Sequence, residues 1–400
     1  MSADPPQPAQ NAQDSPPPPD PPAPAASAST TTQDYAAREA TQRALAPLRD
    51  QIDKVDQQLI ELLNQRARVV VEVGRVKREA GEAIPIYAPD REQAVMQKIR
   101  QANQGPLTDA CIEAIWRELM SGSFALERAL RIGYLGPPGS FSHLAARKKF
   151  GASVEYNELT DFPAIFDEVA RGHVDYGLIP VENSTHGGVT ASLDCFLETP
   201  VKITAEVLLQ IHHNLLSRVP LPEITRVYSH QQALGQCRRW LSAQLPQAPT
   251  VATVSTSEAA RIAAREPGAA SIGTSLAAQL YDVPLLFENI EDNPNNTTRF
   301  SVIARQNAKP SGDDKTSILF TTEHRAGALT DVLNVFRDHG LNLTRLAERP
   351  SQRMNWEYYF FVDLEGHLES ENVAAALEEA RRHCLQLTVL GSFPRAREVL

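Results

Sequence analysis

The stretch Asn293-Pro294-Asn295-Asn296-Thr297-Thr298-Arg299-Phe300 lies between an apolar run, Val283 to Ile290, and a strand-like one, Phe300 to Ala304. Asn and Pro at its head turn the backbone, and loops held between rigid elements are where sites tend to sit. At the exit stand a hydroxyl (Thr298), a guanidinium (Arg299) and an aromatic anchor (Phe300). Together they offer a hydrogen-bond donor beside a fork for a carboxylate. A capped turn with a surface arginine would explain the same residues, so the reading depends on the segments around them.

Upstream, strands alternate with helices. Arg131-Ile-Gly-Tyr-Leu-Gly136 reads as a strand, followed by Pro137-Pro138-Gly139-Ser140-Phe141-Ser142 and a helix through Phe150. The glycine spacing is not GxGxxG, and two prolines remove N–H groups that a pyrophosphate would need. Ser140 or Ser142 instead caps a helix N-terminus, an end that favours a carboxylate. Val174 to Pro180 is a strand with Val181-Glu182-Asn183-Ser184-Thr185 at its C-terminal end, the edge where open α/β sheets bind ligands. Leu208 to Leu215 is a further strand. Arg226 to His230 opens a second unit with Ser229-His230-Gln231 at its tip, and Gln236 and Cys237 lie on the next helix. Ser257 to Ala264 reads as a helix and Ala269 to Ile272 as a buried strand, so two α/β lobes around a cleft are expected.

Gly-Pro-Pro-Gly-Ser-Phe-Ser, Val-Glu-Asn-Ser, Tyr-Ser-His-Gln-Gln-Ala-Leu and Asn-Thr-Thr-Arg-Phe together resemble prephenate dehydratase over residues 130–307. The resemblance implies that Thr298 is the essential hydroxyl. It places Asn183, Ser229, Gln236 and Phe300 around the substrate and has Arg299 help with charge. The family chemistry expels a ring hydroxyl and a carboxylate together, which calls for assistance to the leaving hydroxyl. Thr is a poor acid, so its expected role is hydrogen-bond donation. His212, His213 and His230 are assigned to packing or support, since this chemistry needs no histidine base. Val254 stands where the family has an acidic residue.

Residues 1–36 hold repeated Pro and few large apolar side chains, and are expected to be disordered. From Ala37 to Glu79 the pattern is helical: Leu45, Leu48, Ile52, Val55, Leu59, Leu62, Val69, Val73 and Val76 recur at spacings of three and four, with one gap. Arg66 fills that gap, and Arg49 and Lys77 border the stripe. Arg66 and Lys77 are 77 − 66 = 11 residues apart, about three turns and ~16 Å, close enough for long side chains to hold the two ends of a small dianion. Arg49 lies 66 − 49 = 17 residues back, ~25 Å away and about a quarter-turn off, so it would join one site only from a second chain. A helix this long also needs cover for its stripe, and a homodimer or higher homo-oligomer is expected.

Pro89 opens a second helix through Asp90-Arg91-Glu92 to Ala102, and Thr108 caps a third running to about Arg128. On that third helix Ser123 and Glu127 share a face. This all-α module, residues 37–129, resembles the helical class of chorismate mutase. The resemblance puts Arg49, Arg66, Lys77, Ala88, Arg91, Glu92, Ser123 and Glu127 on substrate-binding positions, with Arg66, Lys77 and Glu127 catalytic. It implies that the cations hold two carboxylates, Glu92 takes the ring hydroxyl, and Ala88, often Asp in the family, contributes backbone. Glu127 would donate a hydrogen bond to the ether oxygen, which only a protonated carboxyl can do. A unimolecular rearrangement needs no nucleophile and no cofactor.

From Lys315 the order is strand (Thr316 to Thr321), helix (Gly327 to His339), strand (Asn342 to Glu348), strand (Trp356 to Leu364), helix (Glu371 to His383), strand (Leu387 to Gly391). That βαββαβ module, residues 315–394, resembles an ACT domain. The resemblance implies phenylalanine as effector at Gly327-Ala328-Leu329 and at Glu348, Arg349 and Pro350. Ala347-Glu348-Arg349-Pro350 replaces the family's Glu-Ser-Arg-Pro, so a weakened phenylalanine response is expected.

The net charge of −10 gives no reason to expect nucleic acid or an anionic membrane surface as partner. No apolar run approaches the ~18 residues of a transmembrane helix, and the N-terminus lacks the basic start and hydrophobic centre of a secretory signal. Cys111, Cys195, Cys237 and Cys384 are far apart without a CxxC, as expected of reduced thiols in a cytoplasmic protein. Neither a P-loop nor a metal-ligand spacing appears. The expected fold is multidomain α and α/β: a helical dimer module, a two-lobed α/β domain and a βαββαβ domain. The chain is thereby identified as a member of the bifunctional chorismate mutase–prephenate dehydratase class. An arogenate-preferring dehydratase and a non-catalytic amino-acid-sensing protein are the alternatives.

Overall fold

The computed structural model describes residues 28–79, 85–350 and 358–400. Most of the N-terminal tail, and Trp356 at the start of an expected strand, lie outside the described residues. The chain forms two compact units, the first ending at Arg66 and the second spanning Ala67–Leu400. That division falls inside the helical module expected for 37–129.

Helix α1 spans Ala28–Glu79, starting 37 − 28 = 9 residues before the expected Ala37. In the first unit its apolar stripe is uncovered: Leu48, Ile52, Val55, Leu59 and Leu62 are 50–60% exposed. The second unit continues with α2 (Pro89–Ala102) and α3 (Asp109–Glu127). Pro89 occupies the first turn of α2, with Asp90 and Glu92 favouring its positive end. Thr108 caps α3 by accepting from the Cys111 N–H at 3.3 Å. Tyr87, just before α2, is buried edge-on against Phe124, Phe150 and Tyr176, with ring centroids 5.9, 5.1 and 5.2 Å away. Its hydrophobic burial joins α2 and α3 to the core of the next domain.

The first lobe comprises β1 (Arg131–Leu135), α4 (Phe141–Phe150), β2 (Glu155–Leu159), α5 (Phe162–Arg171), β3 (Tyr176–Asn183), β4 (Gly187–Gly188), α6 (Thr190–Cys195) and β5 (Lys202–Gln210). The second comprises β6 (Asn214–Ser217), β7 (Arg226–His230), α7 (Gln231–Gln236), α8 (Arg238–Gln244), β8 (Thr250–Thr253), α9 (Thr256–Ala263), β9 (Ala269–Gly273), α10 (Ser275–Tyr281) and β10 (Leu285–Phe287). The chain then returns to the first lobe as β11 (Thr297–Ala304). The first sheet has the order β2-β1-β3-β11-β5, with β4 on β3, and the second β10-β6-β9-β7-β8.

Three expectations shift. The strand foreseen from Leu208 to Leu215 is two strands, β5 and β6, in different sheets, because the chain crosses between lobes at Ile211–His213. β3 continues through Asn183, so Val181 to Asn183 belong to the strand itself and not to a loop beyond its end. β11 starts at Thr297, so Thr298, Arg299 and Phe300 lie in a strand and not at a turn's exit.

The C-terminal module is β12 (Asp314–Thr321), α11 (Ala328–Asp338), β13 (Leu343–Pro350), β14 (Tyr358–Glu365), α12 (Glu371–Ala380) and β15 (Gln386–Pro394). Its antiparallel sheet, β13-β14-β12-β15, matches the expected βαββαβ order. One face packs on α11 and α12 through Ile318, Phe320, Val332, Phe336, Val362 and Val373. The other packs on the first lobe, where Leu319, Phe361, Leu390 and Phe393 meet Ile179, Val181, Ile203 and Ile303. The first sheet is thus buried by α4 on one face and by α5, α6 and the C-terminal module on the other.

Candidate active site

Register sets Thr298 on β11 directly opposite Asn183 on β3. Asn183 Nδ2 donates to Thr298 Oγ1 at 2.8 Å and to Asn296 Oδ1 at 2.8 Å, so both amide protons are committed. Its Oδ1 accepts the N–H groups of Thr185 and His186 at 3.0 and 3.1 Å. Asn183 is therefore fixed on both sides, and the Thr298 hydroxyl, holding an accepted bond, retains its own proton to donate. Asn296 Nδ2 donates to Gln236 Oε1 at 3.0 Å, which also lies 2.7 Å from His213 Nε2. This amide chain runs from the first lobe to the second.

His213 is buried, and burial pushes its imidazole below the ordinary value. A neutral ring whose Nε2–H donates to Gln236 leaves Nδ1 as an acceptor, and that atom is buried without a hydrogen-bond partner. Glu291 holds this corner by accepting the His213 N–H at 2.9 Å and meeting His212 Nδ1 at 2.8 Å. On the first-lobe side, Ser140 caps α4 by accepting the His143 N–H at 3.2 Å, and Phe141 stands edge-on to His213 at 5.3 Å.

Three expected substrate contacts are placed elsewhere. Ser229 is fully buried within β7, where its hydroxyl donates to the Ile272 carbonyl at 2.7 Å. Phe300 is 1% exposed and packs in the core with Leu178 and Val302, so it anchors β11 instead of facing a ligand. Arg299 points away from Thr298, because neighbours on a strand face opposite sides. It meets Glu206 at 3.2 Å, Asp363 at 3.3 Å and Glu182 at 3.6 Å, on the side covered by the C-terminal module.

Within the second unit, Lys77 Nζ donates to Glu127 Oε2 at 2.9 Å, with side chains 25% and 11% exposed. Gly74 permits the close approach, since a Cβ there would lie 3.1 Å from Glu127 Cγ. Ser123 is buried and donates to the Leu119 carbonyl at 2.6 Å. The Ala88 carbonyl accepts the Glu92 N–H at 3.0 Å, and Arg91 is exposed. Glu92 Oε2 accepts from Tyr87 Oη at 3.0 Å and from Lys149 Nζ, on α4, at 2.6 Å. In the first unit Arg49 is exposed and Arg66 half-buried.

At the positions expected to bind an effector, Gly327 has φ +81° at the N-cap of α11, a left-handed conformation that favours glycine; Ala328 is buried and Leu329 half-buried. Glu348 and Pro350 are exposed on β13. Arg349 on the alternate face donates through Nε to Asp194 Oδ1 of α6 at 2.9 Å, and its Nη2 reaches the other oxygen. It is therefore committed to the first lobe rather than to the Gly327 turn.

Asn296, Tyr87 and Lys149 are the contributors that sequence reasoning missed, while His213, expected in packing or support, is buried and lies 2.7 Å from Gln236 Oε1. Asn296 lies inside the Asn293–Phe300 stretch but reads there as a turn-former, and Lys149 reads as an ordinary cation in a helix's last turn.

Three family models match in order: Chorismate mutase type II at residues 48–128, Prephenate dehydratase at 132–308 and ACT domain at 316–382. The bifunctional chorismate mutase/prephenate dehydratase of Pseudomonas aeruginosa is 43% identical over 89% of this chain and 99% of its own length. That of Aquifex aeolicus is 41% identical over 88% and 98%. The crystal structure of a prephenate dehydratase in complex with L-Phe from Arthrobacter aurescens superposes with TM-score 0.63 at 33% identity, covering 67% of this chain and 90% of that one. Fold and site define a two-domain enzyme with a fused C-terminal regulatory module. The chain belongs to the bifunctional chorismate mutase/prephenate dehydratase family.

Proposed function

We propose that the chain rearranges chorismate to prephenate in its helical module and converts prephenate to phenylpyruvate at Thr298, with phenylalanine acting through the C-terminal module. The observation that carries the reading is the Asn183–Thr298 pair. An amide whose two protons are already committed holds a hydroxyl free to hydrogen-bond to the departing ring oxygen, which takes up a proton from solvent and leaves as water. Fixed donors of this kind act where charge develops, without reorganising during the reaction. Departure of the carboxylate as carbon dioxide leaves the electron pair that completes the aromatic ring.

In the mutase half, Lys77 and Glu127 form an ion pair in the structure. A dianionic substrate draws Lys77 to a carboxylate, and Glu127 in its protonated form donates to the ether oxygen. Arg49, Arg66, Arg91, Glu92, Ser123 and the Ala88 backbone complete that site by family resemblance. The uncovered stripe of α1 supports a homodimer in which a second chain supplies Arg49. All four cysteines are unpaired, which supports a reducing, cytoplasmic setting. Among the described residues no helix is long and apolar enough to cross a membrane.

The test is a paired assay of the wild type and Thr298→Ala with chorismate as substrate, following prephenate and phenylpyruvate. The wild type is expected to make phenylpyruvate. The variant is expected to stop at prephenate, with dehydratase turnover down by about 10²–10³-fold. A wild type that consumes no chorismate would remove the mutase half of the reading. A Thr298→Ala enzyme with full dehydratase turnover would remove the role of that hydroxyl.

A further inference from the structure

Thr298 and Asn183 occupy one rung of the β11–β3 ladder, and Arg299 and Glu182 occupy the next. Strand alternation turns that second rung to the opposite face, towards the C-terminal module. Three carboxylates meet three cations there. Arg299 contacts Glu206, Asp363 and Glu182 at 3.2, 3.3 and 3.6 Å. Lys315 of β12 donates to both oxygens of Glu206 at 3.0 and 3.1 Å, and Arg345 of β13 stands 3.5 Å from Glu182. The second oxygen of Asp363 accepts from Ser317. Glu206, Lys315 and Asp363 are nearly sealed, with side chains 3%, 7% and 7% exposed. Removing one member of such a set leaves a buried charge uncompensated, so each member depends on the others staying in place.

An independent feature lies on the same rung. Arg299 pairs with Glu182, but Phe300 pairs with Pro180, so Val181 is an extra residue on β3. Pro180 has no N–H to offer the ladder at this point. The Val181 carbonyl is held by the Val189 N–H at 3.0 Å and by Arg345 Nη2 at 3.2 Å. A bulge beside a site re-aims the neighbouring side chain, here Asn183 two residues on. Arg345 therefore reaches from the C-terminal module to the backbone irregularity that orients the reacting pair.

We propose that Arg299 and Arg345 are positioning residues through which β13 and β14 set the Asn183–Thr298 geometry. The state of the C-terminal module is thereby read out in dehydratase turnover. The inference rests on the dehydratase and phenylalanine readings and adds their physical link. Asp363 is the switch point: it shares β14 with the regulatory sheet and touches the residue next to Thr298.

The experiment compares full-length wild type, Asp363→Asn, Arg345→Gln and the double variant. Dehydratase kcat and KM are measured separately, together with mutase turnover, and phenylalanine binding by calorimetry alongside phenylalanine inhibition. Asp363→Asn is expected to lower dehydratase kcat about tenfold with KM within about twofold, since small misplacements of a reacting group fall on turnover. Mutase turnover is expected to be unchanged. Phenylalanine still binds in this variant but no longer alters turnover. Arg345→Gln shows the same pattern should Asp363→Asn fail to fold, and the double variant is no worse than the stronger single one. Variants that keep wild-type kcat and wild-type inhibition overturn the proposal while the dehydratase reading stands. So does a fall in kcat that mutase turnover shares. A wild type that makes no phenylpyruvate overturns the reading beneath it as well.

Discussion

Asn183 and Asn296 hold the proposed dehydratase site together through shared hydrogen bonds. Asn296 is 3% exposed and joins Asn183, Thr185 and Gln236 in one connected set. Asn296→Ala strands one Asn183 proton and removes a donor to Gln236. A buried polar group left unpaired costs about 1–3 kcal/mol, so dehydratase turnover is expected to fall by about one to two orders of magnitude. Mutase turnover from the same preparation stays unchanged, and an equal loss of both activities would show general unfolding instead. Glu127 offers a second test. Because the proposed role is hydrogen-bond donation to the ether oxygen, Glu127→Gln, whose amide donates, should keep mutase turnover, whereas Glu127→Ala should lose it, with dehydratase turnover unchanged in both.

Among the elements, the β1–α4 turn shows how backbone groups are placed by a neutral ring. The Gly139 N–H donates to His143 Nδ1 at 3.1 Å, which requires that nitrogen to be unprotonated. The ring stacks on Tyr134 with centroids 4.5 Å apart. Burial first, and Arg147 second, lower the His143 imidazole to about 4. In the unfolded chain the same group titrates near ~6.5. Its stabilising contribution is therefore fully present above about pH 6.5 and is lost as pH falls towards about 4, where the unfolded chain already binds the proton. Urea midpoints followed across that window should decline in the wild type and decline less in His143→Gln. Parallel declines in both proteins would assign the acid sensitivity to other groups.

At the scale of the whole molecule, α1 leaves Leu48 to Leu62 half or more exposed. Burying such side chains gains about 1.5–3 kcal/mol each, enough in sum to hold two chains together. Sedimentation is expected to show a dimer or a larger assembly. Leu59→Asp should give smaller species with mutase activity lost and dehydratase activity kept, because Thr298 sits in a separate core. An active wild-type monomer would contradict this. Regulation is expected to be weak for its class, since the Glu and Ser of the effector motif are replaced and Arg349 is bound to Asp194. Inhibition at low micromolar phenylalanine would refute that.

Local pattern made most of the architecture legible. A period near 3.6 marked α1 to α3, and Pro89 and Thr108 marked helix starts that the structure reproduces. The βαββαβ order of the C-terminal module came from alternating runs and turn residues, and four short motifs pointed to Thr298 and Asn183. The sequence by itself thus determined which modules the chain builds, because periodicity and turn residues are local properties, while the role proposed for the Thr298 hydroxyl rests on resemblance to the family's motifs. Only the tertiary structure decided which way each side chain faces. Reading Thr298, Arg299 and Phe300 as one loop grouped them around one ligand. Within β11, Arg299 turns to a charged interface while Thr298 and Phe300 share the other face, with Phe300 in the core, since a strand turns successive side chains to opposite faces. The partnerships of Tyr87 with Phe150, Glu92 with Lys149 and Arg345 with the Val181 carbonyl likewise join residues far apart in the chain, and only folding brings them within reach.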